Sequence, residues 1–418
     1  MRYLIFVLLL TSPLLSQESE YYLNLALQNN ARLAAERQLA SAAQSDHARE
    51  SMFLENPELM LGLMNVPVNT FPALNRDSMS NFSVGITQRI ALPWEAHYRK
   101  AAAELRATTS GLNLELQQAA LRYEVMEKLN AIRFYIEREK NLSDAKKLIS
   151  ATMRILAVPR KEARNTAGAI LEARAALATA ENDLLSNTYE LEKAWLDLEA
   201  LCGTKLNRAE GAGILAAWDK VSATSAEPAP DLRKSLIYRK AESEVRAQQA
   251  MLSLSRSALF PEVKVSAAYM FRQTVPGSSM AEDMVAVSAS TPLPVFYPLK
   301  NKHEVDGQER RLQAAERMLA DTERQLGAQV AAETVRLKTL LASAENYARA
   351  ILPAHSSAHR SHLANINLMG GSAAEALIAY RMYLTAGEER LRQIREAHSA
   401  LFKLEYLRAQ GAHNQESK

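Results

Sequence analysis

A single cysteine, Cys202, stands in 418 residues, so no intramolecular disulfide can form and no paired-cysteine metal site exists. Charge of one sign is lacking too. The 50 basic and 47 acidic residues leave a formal charge of +3, which provides no electrostatic footprint for nucleic acid. Glycine, proline and aromatics are sparse for the length. Ala, Leu, Glu, Arg and Gln dominate instead, the residues that lose least on entering a helix. No segment reaches the ~20 apolar residues that a membrane-spanning helix requires. A Gly-rich phosphate loop, GxSxG and HExxH are all absent, so a hydrolase or transferase has no support, and neither catalytic residue nor cofactor is expected.

Residues 1–16 have the pattern of a secretory signal. Arg2 supplies the positive start, and Tyr3 to Leu10 form an apolar core too short to cross a bilayer. Cleavage is placed near Ser16–Gln17, although Leu14 suits the −3 position poorly; an N-terminal anchor is the other reading. An exported chain without a membrane helix is either soluble or part of a β-barrel. Cys202 continues the helical series Leu184, Leu191, Trp195 and Leu198, which predicts a small core residue.

The chain repeats one plan. Asn56–Pro57–Glu58 returns as Phe260–Pro261–Glu262, Leu92–Pro93 returns as Leu293–Pro294, and Gly203 has its counterpart in Gly411, each at an offset of roughly two hundred residues. So long a period is the duplication of a half-protein and not a solenoid unit. The boundaries follow: first repeat 17–207, linker 208–230 ending in Pro228–Ala–Pro230, second repeat 231–411 and a polar tail 412–418. Each repeat reads helix, strand, loop, strand, very long helix, break, long helix.

The strands alternate with period two. Leu59, Leu61 and Leu63 alternate with Met60, Gly62 and Met64, and Phe82, Val84 and Ile86 alternate with Ser83, Gly85 and Thr87. In the second repeat Val263 to Phe271 and Val285 to Ala289 do the same. Each approaches the ~9–11 residues of a tilted membrane strand. The intervening stretches 65–80 and 272–283 are long and turn-rich, like the outer loops of barrel proteins. Soluble hairpins packed on helices would show the same alternation. Four strands cannot close a membrane barrel, so several chains would have to share one: two give eight strands, three give twelve.

Glu95 to about Ala157 contains no proline and one glycine, enough for roughly 90 Å of helix. Leu121, Val125, Leu129, Ile132 and Ile136 recur at coiled-coil spacing, as do Leu326, Val330, Leu337 and Leu341. Two helix pairs per chain, pooled over several chains, would build a hollow cylinder; an ordinary antiparallel coiled coil without a lumen fits the stripes as well. Turns are expected near 159–168 and 365–372.

Two clusters carry candidate metal chemistry. His355, His359 and His362 fall on one helix face, where imidazoles can share a transition metal or form a solvated polar face. Met60 and Met64 lie opposite the three leucines, placed to face a lumen, and Met79, Met270, Met280 and Met284 lie near the other strands. Thioethers suit soft ions, but methionine equally fills apolar gaps.

The segments VSASTPLPVF (287–296), GGSAAEALIAY (370–380) followed by Arg381, and ILEAR (170–174) with Gly203 behind it resemble the outer-membrane factor, or TolC-like, family over nearly the whole mature chain. The proline-rich strand exit and the ILEAR segment are closer to its heavy-metal-efflux branch. The resemblance implies a mainly α fold with a membrane β-barrel: a homotrimer sharing a 12-stranded barrel, four strands per chain, above a long α-helical tunnel through the periplasm. It also implies outer-membrane lipid around the barrel, and docking onto a periplasmic adaptor protein and through it an inner-membrane pump. The gate positions it marks are Glu172, Arg174, Gly370, Gly371 and Glu375. Where the family often carries an aspartate, this chain has Ile378. A ring of Glu375 and an exposed helical carboxylate are both open readings. A periplasmic coiled-coil adaptor or scaffold without a pore is the alternative function.

Overall fold

The computed structural model describes residues 13–52, 55–77, 79–156, 166–206, 231–257, 262–274, 277, 282–293, 295–296, 301–368 and 373–410. Residues 1–12 of the signal, the linker 208–230, Gly370, Gly371, Gly411 and the tail 412–418 lie outside them, as do residues 159–165 of the first expected turn and 369–372 of the second.

The first repeat opens with α1 (Pro13–Asn29) and α2 (Ala31–Glu50), where the composition had suggested one run. Asn30 makes the break. Its Oδ1 accepts from the Leu33 amide at 3.0 Å, an N-cap for α2, while its Nδ2 donates to the Leu201 carbonyl at 3.0 Å. Strands β1 (Glu58–Met64) and β2 (Asn81–Ile90) follow, then α3 (Pro93–Leu156), whose first residue is a proline with no amide to leave unsatisfied. The repeat closes with α4 (Thr166–Cys202).

The second repeat has α5 (Leu236–Ser257), β3 (Val263–Arg272), β4 (Met284–Ser290), α6 (Asn301–Asn346), α7 (Leu352–Leu368) and α8 (Ala373–Leu407). A π-helical turn, Tyr347–Ile351, separates α6 from α7. Pro353 explains it: the residue lacks an amide hydrogen, and its ring would strike the carbonyl four residues back in a regular helix, so the preceding turn widens.

The described residues fall into two compact units, each drawing on both repeats. The first comprises residues 1–36, 114–237 and 323–418. Its main core joins Tyr22 and Ala26 of α1, Leu33 of α2, Leu121, Val125, Leu129 and Ile132 of α3, and Trp195, Leu198 and Cys202 of α4. The stripe expected on α3 is therefore the buried one, and Cys202 is fully buried beside it. Gly203, at φ +65°, ends α4 in the left-handed region; a Cβ there would sit 2.9 Å from the Asn29 carbonyl oxygen. On α6 the inward face continues from Leu337 to Leu340 and Ala344, with Leu341 only partly covered.

The second unit comprises residues 37–113 and 238–322 and holds the sheet. Its four strands are antiparallel in the order β1-β2-β3-β4. The inner strands run for ten residues, but β1 and β4 have seven each, shorter than the alternation suggested. Both are edge strands, with a ladder partner on one side only.

Candidate functional site: a two-faced sheet and a helical turn

The register turns four separate alternations into two surfaces. Leu61, Val84, Tyr269 and Val285 form one row across the sheet, Leu59, Ile86, Ala267 and Val287 a second, and Leu63, Phe82 and Phe271 a third. These three rows are apolar and stand open, Leu59 being 66% exposed, Val285 69% and Val287 73%; Gln88, paired with Val265, is the polar residue of this face. Phe82 and Phe271 stack across β2 and β3 with ring centroids 6.1 Å apart.

The opposite face is built from small and hydroxylated residues. Its rows are Met60, Gly85, Ala268 and Ala286; Gly62, Ser83, Met270 and Met284; and Glu58, Thr87, Ser266 and Ser288. The Thr87 and Ser266 hydroxyls bond to each other at 3.0 Å. Met60 and Met64 both lie on this face, where sequence alternation put them, and the pairing adds Met270 and Met284 to it. Beyond β3, Asp283 pins the outer loop. Its carboxylate accepts from the Arg272 amide at 3.0 Å and from the Tyr269 hydroxyl at 2.8 Å, which draws its pKa below the ordinary value.

At the strands' other end is a charge cluster that sequence reasoning missed. Arg89 pairs with Glu55, Glu95 and Glu262, and Arg99 with Glu50, Glu55 and Glu95. The two arginines hold the residues before β1 and β3 to the start of α3. The available signal was the set of charges flanking Pro57, Pro93 and Pro261.

In the other unit, α7 and α8 pack against each other. The three histidines of α7 divide there. His359 is buried, its Nδ1 3.1 Å from the Ala376 carbonyl oxygen and its ring 5.0 Å from that of Tyr380. His362 faces α8, with Nδ1 3.5 Å from Glu375 Oε2. His355 lines a shallow groove with Arg381 and Met382. Sequence had placed no carboxylate beside these histidines; the packing of α8 supplies Glu375. Among the described residues no three His, Cys, Asp or Glu side chains gather as metal ligands would. Helical spacing put the three rings on one face, and the packing of α8 then assigned each a different neighbour.

Glu172, Arg174 and Glu375 are all exposed near the N-terminal ends of α4 and α8. Glu172 and Ile378 line a cavity of about 710 Å³ between α3, α4 and α8, which the sequence did not indicate. Among the described residues no helix is long and apolar enough to cross a membrane.

Comparison with solved structures gives close agreement over nearly the whole chain. The Neisseria gonorrhoeae MtrE outer membrane channel, in its open state, is 17% identical with a TM-score of 0.77, covering 93% of this chain and 88% of its own. The Vibrio cholerae outer membrane protein VceC is 15% identical with a TM-score of 0.78, covering 94% and 97%. CusC, described through its transmembrane channel formation, is 15% identical with a TM-score of 0.77, covering 94% and 92%. The fold is that of the outer-membrane efflux channels. Residues 230–364 also match the family model described as Outer membrane efflux protein. A comparison with curated proteins gave no match. The three structures score alike, so fold similarity does not favour one efflux branch over another.

Proposed function

We propose that this protein is the outer-membrane exit duct of a tripartite efflux system, passing cargo passively from a periplasmic adaptor and an inner-membrane pump to the exterior. The observation that carries the reading is the open sheet with one largely apolar, exposed face and one face of mainly small and polar residues. In lipid every backbone group must be paired, so β1 and β4 need further strands. Strands β1 and β4 run antiparallel, so β4 of one copy meets β1 of the next in the same sense as every internal pair. A rotationally symmetric ring closes without a parallel junction. Three copies give twelve strands, and the family resemblance selects the trimer. The apolar face then meets outer-membrane lipid, and Met60 and Met64 line the lumen.

The helices add a second argument for copies. Leu171, Leu185, Tyr189 and Leu196 recur along α4 and are 64%, 72%, 64% and 52% exposed, an apolar stripe that the described residues of its own chain do not cover. Residues 1–16 fit an export signal, and the helices would form the long periplasmic portion. Catalysis has no place in this reading, because the pump supplies the energy. Heavy-metal cations are the proposed cargo, supported by the ILEAR segment and by four methionines on the small-residue face.

The test is single-channel conductance of purified, folded protein in a planar bilayer, with and without copper or zinc ions. Discrete steps support the duct, and block by the metals supports the cargo. Folded protein that neither inserts nor conducts leaves the periplasmic scaffold without a pore.

A further inference from the structure

The cavity between α3, α4 and α8 is unused by a passive duct, and its chemistry is specific. At about 710 Å³ it lies within the ~300–1,000 Å³ typical of sites for drug-sized ligands. Its floor is apolar: Ala145, Ile149 and Ala180 are buried there around Tyr380. Tyr380 and Tyr383 stand with ring centroids 6.4 Å apart and planes 27° from parallel; Tyr383 is 37% exposed and reachable from solvent, with the buried Tyr380 behind it.

The rim is acidic. Glu137, Asp144, Glu172, Asp183 and Glu388 line the cavity, against Arg381 and Arg390. Lys140, Lys147 and Arg138 pair with Glu137, Asp144 and Glu388. Glu172 and Asp183 make no ion pair among the described residues, so both carboxylates are available to a ligand. Aromatic faces attract organic cations through the ring quadrupole, and two unpaired carboxylates reinforce that sign.

We infer that this cavity binds an aromatic organic cation, with the Tyr383 ring, backed by Tyr380, against the ring system and the Glu172 and Asp183 carboxylates at two ends of the cavity, about 16 Å apart along α4. The site goes beyond the duct reading: it is complete within one chain and needs neither a pore nor a metal cargo. An anionic ligand would meet both carboxylates, and a bare metal ion would leave the apolar floor uncovered.

The probe is ethidium, a soluble aromatic monocation whose fluorescence rises when it leaves water, titrated into the purified full-length protein against a detergent blank. Saturable binding is expected at one site per chain. Glu172→Gln combined with Asp183→Asn should weaken it at least about tenfold, and so should Tyr383→Ala. Glu139→Gln, an exposed carboxylate that does not line the cavity, should leave it unchanged. All four substituted residues are at least partly exposed, and retained helical circular dichroism checks each variant's fold. Absence of saturable binding overturns the inference. So does equal weakening by Glu139→Gln, which would mark diffuse charge attraction. Loss of conductance with ethidium binding intact would sink the duct reading and leave this site standing.

Discussion

Gly85 on β2 faces Ala268 on β3 so closely that a Cβ at Gly85 would lie 2.8 Å from the Ala268 Cβ and 2.9 Å from the Ala267 carbonyl oxygen. Backbone blocks one side, so the strain cannot be relieved by turning a flexible side chain. Gly85→Val should therefore destabilise the sheet by about 1–3 kcal/mol, the usual range for overpacking. Gly111, inside α3, has nothing within 4 Å of its own Cβ position, and Gly111→Ala should stabilise by about 0.5–1 kcal/mol through helix propensity. Thermal unfolding followed by circular dichroism reads both. A Gly85→Val protein as stable as the parent would show that β2 and β3 do not pair in this register.

How much of this was legible in the sequence follows from the range of each interaction. Alternation at Leu59, Leu61 and Leu63 is local, so each strand's two faces could be read directly. The row that joins Leu61 to Val84, Tyr269 and Val285 spans both repeats, and no local pattern sets such a register. The stripe on α3 was readable for the same reason as the strands. The identity of its cover was not, because α1, α2 and α4 come from distant positions. The break at Asn30 and the wide turn before Pro353 had visible signals, a capping residue and a helix-breaking proline, but both sat in helical composition that masked them. The histidines show the limit: spacing fixed their shared face but not the neighbours that α8 supplies. The cavity was invisible because its walls come from three helices, although Glu172, Ile378, Tyr380 and Arg381 among its residues each fell in a segment the sequence had marked.

Glu127 on α3 is a second point of test, through pH. Its Oε2 accepts from the Ser399 hydroxyl at 2.9 Å, but Oε1 is buried with no hydrogen-bond partner. Burial raises its pKa above the ordinary carboxylate value, against the opposing pulls of Ser399 and of Arg395, Arg336 and Lys128. The folded state thus holds the proton more tightly than the unfolded chain does. This contribution to stability is full below the unfolded pKa and is lost as pH rises through the folded one. Glu127→Gln should melt higher than the parent at neutral pH, with the gap closing as pH falls below roughly 4. A gap that widens on acidification would overturn the assignment.

Cys202 should be chemically silent while the protein is folded. It is fully buried against α1, its thiol 3.7 Å from the Tyr22 carbonyl oxygen, and burial pushes its pKa up to about 11. Thiolate is the reactive form, so iodoacetamide at neutral pH should label the native protein far more slowly than protein in denaturant, by at least about a hundredfold. Mass spectrometry gives the two rates directly. Rapid native labelling would mean that α1 does not cover the end of α4.

The turn between α7 and α8 gives the last prediction. Glu375 is exposed at the start of α8, its side chain 62% accessible, and among the described residues it pairs with the His362 imidazole of α7. In the proposed trimer three copies of this carboxylate would face a common constriction and favour cations over anions. Glu375→Gln keeps the length of the side chain and a group that can still bond to His362, so it removes charge with little change in packing. Its cation-to-anion permeability ratio, taken from the reversal potential in a salt gradient, should fall towards unity, and Glu375→Lys should carry it further in the same direction. The Ile378→Asp variant, which adds an acid about one helical turn from Glu375, should raise the ratio instead. Equal ratios in all four proteins would leave Glu375 as a solvated helical carboxylate and place the constriction elsewhere.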